Sequence, residues 1–128
     1  MILSDAYNYI NVTQTAAVAS KMRSTVIANN IANVDTPNYK RQDVKFESLL
    51  AAQMSGGGTL DSKVATVNLS SLKGQVYTDN ANLSYRLDGN NVDISTESSY
   101  YAQSQLKYNA LVDYMNRGFS AIKIAMGK

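Results

Sequence analysis

The sequence predicts a mainly α chain: long N- and C-terminal helices paired as a coiled-coil-like hairpin, with a short irregular or β segment between them. Three observations predict this. Apolar and small residues recur at alternating spacings of three and four from Ile2 to Val34, and again from Ile94 to Met126. The single proline, in Asp35-Thr36-Pro37-Asn38, ends the first run. Between the runs lies a polar stretch with a glycine triplet and short period-two alternations. The predicted organisation is therefore 1–50 as helix, turn and extended arm, 51–91 as a central loop and short-strand segment, and 92–128 as a helix that returns to the first. Together these make one discontinuous helical domain.

The N-terminal helix has a seam through Leu3, Ala6, Ile10, Thr13, Ala17, Ser20, Ser24, Ile27, Ile31 and Val34. It is apolar at both ends and small in the middle, which lets a neighbouring helix approach closely. A second stripe runs through Ile2, Tyr9, Val12, Ala16, Ala19 and Val26. One helix with two such stripes needs more than one neighbour. Pro37 and Asn38 suit the second and third places of a tight turn, and Asn tolerates positive φ better than any residue but Gly. Tyr39 to Phe46 then reads as a surface strand or extended arm, and Glu47 to Gln53 as a helical turn or two.

Ser55-Gly56-Gly57-Gly58 is a hinge or loop, and no lysine follows it in the phosphate-loop arrangement. Val64 to Leu69 and Leu83 to Leu87 alternate as short strands do. Lys73-Gly74, Asp79-Asn80 and Asp88-Gly89-Asn90-Asn91 are breaks or turns. The segment is too small and polar to supply a core of its own. Asp93 is placed to cap the C-terminal helix, and Glu97 lies in its first turns, where the dipole favours negative charge. The predicted seam is Ile94, Ser98, Tyr101, Gln105, Tyr108, Val112, Met115, Phe119, Ile122 and Met126. Gly118 permits a close crossing, and Gly127 marks the stop. The terminal helices are expected to pair, each leaving a second stripe for neighbouring subunits.

Composition narrows the chemistry. The 128 residues, of 14.0 kDa, suit one domain, and the net charge of +2 with 17% charged residues gives no strong field toward nucleic acid or acidic lipid. There is no cysteine and no histidine, which removes disulfides, Cys/His zinc sites and any histidine base. No apolar run is long enough to span a bilayer. Ala17-Val18-Ala19 mimics a signal-peptidase site but follows a polar stretch, so no cleaved signal is read. The nine tyrosines lack an interleaved basic groove and read as amphipathic packing. Lys40, Arg41 and Lys45 read as a solvated or subunit-bridging face, diluted by Asp43 and Glu47. Asp88, Asn90, Asn91 and Asp93 lack the ligand pattern of a calcium loop. No catalytic residue, metal site or cofactor is predicted.

The run from Asn29 to Phe46, NNIANVDTPNYKRQDVKF, closely resembles the N-terminal signature of the bacterial flagellar axial proteins (rod, hook and hook-associated subunits), whose usual form is N-I-A-N-x-x-T-P-G-Y-K/R. Asn38 stands where the family usually has Gly. Asp88-Gly89-Asn90-Asn91-Val92-Asp93, Gln105-Leu106-Lys107-Tyr108-Asn109-Ala110-Leu111 and Phe119-Ser120 resemble the B type of the short basal-body rod proteins. Ser98-Ser99 departs from a Glu-Met pair often seen there. The likeness covers roughly Ile10 to Phe46 and Tyr85 to Met126.

The resemblance implies a structural subunit of the proximal rod, the drive shaft of the flagellar basal body. It implies export by the flagellar type III apparatus without a cleaved signal, and a place in the periplasmic space. The implied partners are other rod proteins, further copies of the chain, and the adaptor joining the rod to the MS ring, with no nucleic acid and no direct membrane insertion. The residues expected to carry assembly are Ile27, Ile31, Val112, Met115, Phe119 and Ile122 on the seams, and Asn30, Asn33, Thr36, Pro37, Asn38 and Tyr39 at the junction. The alternatives are the C type of short rod protein, or a soluble, non-enzymatic export or assembly factor.

Overall fold

The computed structural model describes residues 2–80 and 86–127. Its elements are α1 (Ile2–Ala32), β1 (Gln42–Lys45), α2 (Glu47–Gln53), α3 (Leu60–Ala65), β2 (Gln75–Thr78) and α4 (Ile94–Ala125). The long helices α1 and α4 pack against each other, and a smaller layer of two short helices and a two-stranded antiparallel sheet lies against α1. The strand register pairs Gln42 with Thr78 and Lys45 with Gln75.

At 31 residues, α1 runs about 45 Å at 1.5 Å per residue. Its small middle residues Ala17, Ser20 and Ser24 are buried, as are Ile10 and Ile27. The antiparallel register with α4 is fixed at four places. Ile10 lies against Gly118, Lys21 over the Tyr108 ring, Arg23 over the Tyr100 ring, and Asn30 bonds to Glu97. A Cβ at Gly118 would sit 3.2 Å from both Cγ1 and Cδ1 of Ile10, so the helices cross closely there.

The second stripe of α1 is covered by the chain itself. Ala16 and Ala19 form a core with Phe46 and Leu72, and Val12, Leu49, Leu50, Val67 and Leu111 pack around it. The expectation that α1 leaves this stripe to neighbouring subunits is thus corrected: the arm after β1 and the central segment fold back onto it. The Ile2 side chain lies outside the described residues. Nor is the central segment without a share in the core, because Leu72 is completely buried and Val64 nearly so.

Two strand expectations also change. Val64 begins no strand but lies within α3. Thr59 caps that helix by accepting a hydrogen bond from the Ser62 N–H, and six residues of alternation that straddle a helix end cannot outweigh a working cap. The strand that forms instead is Gln75–Thr78, whose side chains are all exposed, so it carries no inward-outward pattern to read. Of Leu83 to Leu87, residues 83–85 lie outside the described residues, and Arg86 and Leu87 enter the turn at Gly89.

The largest difference is a rotation of α4. The seam expected to face α1 exposes Ile94, Tyr101, Phe119 and Met126, with Phe119 at 52%. The face turned inward runs instead through Glu97, Tyr100, Ser104, Tyr108, Leu111, Met115, Gly118 and Ile122. Five of these precede a predicted seam residue by one and three are shared with that seam, so the face is turned by roughly half of the ~100° between successive residues. Tyr108, Met115 and Ile122 belong to both rows. Ser104 lies beside the small Ala19 and Ser20 of α1, and Gly118 leaves space for the large Ile10 side chain.

Because Leu72 is fully buried, Leu72→Ala is expected to cost about 2–5 kcal/mol of folding stability. Denaturant unfolding of the purified chain measures it.

Candidate functional site

After Ala32 the helix ends in a turn, and Asn38 there takes φ 62°, the left-handed conformation its side chain tolerates. The carbonyls of Asn29, Asn30 and Ile31 in the last turn of α1 accept from the Asn33 and Val34 N–H groups, and the turn beyond presents the carbonyls of Asn33, Val34 and Thr36. They are met from the other half of the chain. The Asn90 amide nitrogen lies 2.8, 2.9 and 3.0 Å from the carbonyl oxygens of Asn33, Val34 and Thr36. Arg86 Nη1 donates to the Val34 carbonyl at 2.8 Å. Asn38 N–H donates to the Asp88 carbonyl at 2.7 Å, and Lys40 Nζ to the Gly89 carbonyl. Gly89, at φ 76°, has no room for a Cβ, which would lie 2.6 Å from Asn38 Oδ1. The two sequence motifs, one on each side of the central segment, therefore form a single clasp.

Beneath the clasp lies a buried polar cluster. Asn30, fully buried, donates to the Gln42 carbonyl (2.7 Å) and to Glu97 Oε2 (3.0 Å). Its Oδ1 accepts from Gln42 N–H (2.9 Å) and the Tyr39 hydroxyl (3.0 Å). Arg41 donates through Nε to Glu97 Oε1, through Nη1 to Asp79 (2.6 Å), and through Nη2 to Asp43 (3.1 Å). Asp43 also receives a two-pronged contact from Arg23, at 2.7 and 3.2 Å. Both guanidiniums lie over the Tyr100 ring, at 5.1 and 5.4 Å. Burial alone would lower the affinity of Arg41 for its proton, but the bonds to Glu97 and Asp43 outweigh it and raise it. Burial likewise pushes the Asp43 carboxyl up, while hydrogen bonds from Arg23, the Val44 N–H and Arg41 hold it below the usual carboxylate value.

This corrects the reading of Arg41 as part of a solvated or bridging face; Lys40 is half-buried, and Lys45 stays exposed as read. Arg41 is 5% exposed inside the chain, Lys40 is tied to Gly89, and Lys45 lies 5.7 Å over the Tyr77 ring. Asp43 does not dilute a surface patch but joins two arginines. Glu97 sits in the first turn of α4 and Asp93 caps it, accepting from Ser95 and Thr96 N–H. Yet Glu97 is 1% exposed and serves the cluster as much as the dipole.

The residues singled out from sequence fall into three groups. Asn30, Asn33 and Tyr39 belong to the cluster and clasp, with the exposed turn residues Thr36, Pro37 and Asn38 beside them. Ile27 and Ile122 are buried between elements, and Ile31 is half-buried. Val112 and Met115 are half-buried and line an open groove of about 410 Å³ with Tyr108 of α4 and Ala17, Val18 and Met22 of α1. Phe119 stands exposed on the same helix. Sequence reasoning missed Arg41, Asp43, Asp79, Asn90, Glu97 and Tyr100 as one unit. The available signal was the D-G-N-N run itself, short amides and carboxylates of the kind that satisfy a helix end, sited next to a second helix start.

Two outcomes are expected from the cluster. Glu97→Ala, which leaves Arg41 buried without its main partner, should cost about 3–5 kcal/mol in denaturant unfolding. Asp43 has a folded value below its unfolded one. Its contribution is thus complete above the unfolded carboxylate value of about 3.9 and is lost as pH falls through the folded value. Asp43→Asn should be less stable at pH 7 and lose less on acidification, as followed by unfolding curves from pH 7 to pH 2.

A sequence model of the family described as "Flagella basal body rod protein" matches residues 10–40, the second half of which enters the clasp. The chain is 35% identical over 114 residues to the flagellar basal body rod protein FlgB of Bacillus subtilis (strain 168), covering 88% of each chain. It is 38% identical over 104 residues to the FlgB of Escherichia coli (strain K12), covering 74% of this chain and 75% of that protein. To the FlgB of Borreliella burgdorferi it is 32% identical over 115 residues, covering 82% and 85%. The groove, the outward row on α4 and the clasp that holds both helices are the features of a packing subunit, and the chain belongs to the FlgB family of flagellar basal body rod proteins.

Proposed function

We propose that the chain is a non-enzymatic structural subunit of the proximal rod, part of the drive shaft that carries torque from the MS ring to the hook. One observation supports this reading above the rest. Part of the apolar row of α4 is turned away from α1: Ile94, Tyr101, Phe119 and Met126 are exposed, in line with Tyr108, Val112 and Met115, which line the groove shared with α1. An exposed apolar row of this length marks a protein contact, and a helix seam with heptad-like spacing suits another helix.

In this reading the chain is one discontinuous helical domain, with residues 1–50 and 92–128 closing on each other around 51–91. Val112, Met115 and Phe119 meet neighbouring subunits. Ile27, Ile31 and Ile122 hold the helix pair. Asn30, Asn33, Thr36, Pro37, Asn38 and Tyr39 keep the junction rigid, so that load on one helix reaches the other. The partners are copies of the chain, other rod proteins and the adaptor at the MS ring. The flagellar type III apparatus delivers the chain to the periplasmic rod without signal cleavage. Among the described residues no helix is long and apolar enough to cross a membrane.

Deletion of the gene is expected to abolish motility and to stop assembly before the hook; a motile deletion strain with complete basal bodies would overturn the proposal. A sharper test is Phe119→Asp. Since Phe119 is half exposed in the monomer, stability should change by no more than about 0.5 kcal/mol, while incorporation into isolated basal bodies should fall sharply.

A further inference from the structure

A second pocket, of about 210 Å³, opens where α1, the corner between β1 and α2, and α4 meet. Its apolar wall is Ala19, Val44 and Phe46; its polar wall is Ser20, Arg23, Glu47, Gln103, Ser104 and Lys107. Ser104 is 2% exposed, and its hydroxyl has no hydrogen-bond partner among the described residues. Helix serines usually return their hydroxyl to the carbonyl four residues earlier, as Ser24 and Ser99 do here. Ser104 does not. A buried polar atom without a partner requires an explanation, and a group that enters the pocket from outside supplies one.

The chemistry of that group follows from what the wall offers. Arg23 gives Nε and Nη2 to Asp43, leaving Nη1 without an acceptor among the described residues. Lys107 has one partner, Glu47, whose side chain is 66% exposed. Burial and the nearby Arg23 charge both lower the Lys107 pKa, so an anion that entered would relieve this strain on its charge. Donors therefore come from Arg23, Ser104 and Lys107, Glu47 is the one carboxylate of the lining and is held by Lys107, and an apolar wall lies beside them.

We propose that this pocket receives the carboxylate of an Asp or Glu side chain from a second polypeptide of the assembly. The side chain's methylene lies along Phe46 and Val44. Its carboxylate accepts hydrogen bonds from Ser104 Oγ and Lys107 Nζ, with Arg23 beside them. The inference rests on the rod-subunit reading, because a second chain must reach the pocket.

Carbodiimide treatment of isolated basal bodies tests it, since that reagent joins an amine to a carboxylate in contact. The cells would carry Glu47→Gln, an exposed change that removes the internal competitor. The expected product is Lys107 in amide linkage to an Asp or Glu of another polypeptide, identified by peptide mass spectrometry. Ser104→Leu, which fills the pocket, should reduce that product at least tenfold. Should that variant not fold by circular dichroism, the linkage in Glu47→Gln decides alone. Basal bodies that contain the chain but show Lys107 unlinked, or linked only within its own chain, would overturn the pocket assignment and point to a solvent-filled cleft. Absence of the chain from basal bodies would instead overturn the rod reading, and the pocket assignment with it.

Discussion

The contact between Arg41 and Glu97 is the constraint on which the rest of the fold depends. It joins the strand after the first helix to the first turn of the last helix, 56 residues away. Both side chains are nearly sealed from water. Removing two charges from water is costly, and their attraction repays that cost only when the remaining donors and acceptors are also satisfied. Here they are: Asn30 takes the second oxygen of Glu97, and Asp43 and Asp79 take the other two nitrogens of Arg41. One cluster thereby fixes α1, β1, the exit from β2 and the start of α4 at a single point.

Above that point the clasp does for the backbone what the cluster does for the side chains. α1 stops because Pro37 cannot continue it, and the turn that follows presents carbonyls that need donors. Asn90 and Arg86 provide them from the loop that leads into α4. The end of one long helix and the start of the other are therefore completed by the same few residues. This dependence binds two stretches that are distant in sequence but alike in composition: short amides, carboxylates and one glycine whose missing side chain leaves space for Asn38.

Much of this was legible in the sequence, and the rest was not for definable reasons. Two long helices, the Pro37 stop, the left-handed Asn38, the Asp93 cap and the close crossing at Gly118 all follow from local rules that concern a residue and its near neighbours. The cluster does not, because nothing local distinguishes Arg41 from Lys40 or Lys45; only the arrival of Glu97 selects it. The same holds for Gln75–Thr78, a strand with no buried face and so no alternation, formed because β1 is present to pair with it. α3 was misread because V-A-T-V-N-L alternates by composition while Thr59 and Ser62 set the actual geometry. The outward row on α4 was read correctly as apolar and wrongly as the face against α1, since periodicity identifies a face and not its partner.

That last misreading shows what the cluster accomplishes. By apolar pattern alone, α4 would bury Ile94, Tyr101 and Phe119 against α1, which needs a rotation of roughly half the ~100° between successive residues from its observed setting. Such a rotation would swing Glu97 away from Arg41 and Asn30, leaving buried charges unpaired at a cost of several kcal/mol. It would also draw Gly118 from Ile10 and bring Phe119 toward a place where even a Cβ would lie 3.2 Å from that side chain. The polar cluster and the close crossing, at opposite ends of the helix pair, thus oppose the hydrophobic preference of α4 and hold its apolar row outward. A pair of helices that satisfied itself would have no surface left for assembly. Here the least apolar contacts in the chain keep Ile94, Tyr101, Phe119 and Met126 of α4 exposed.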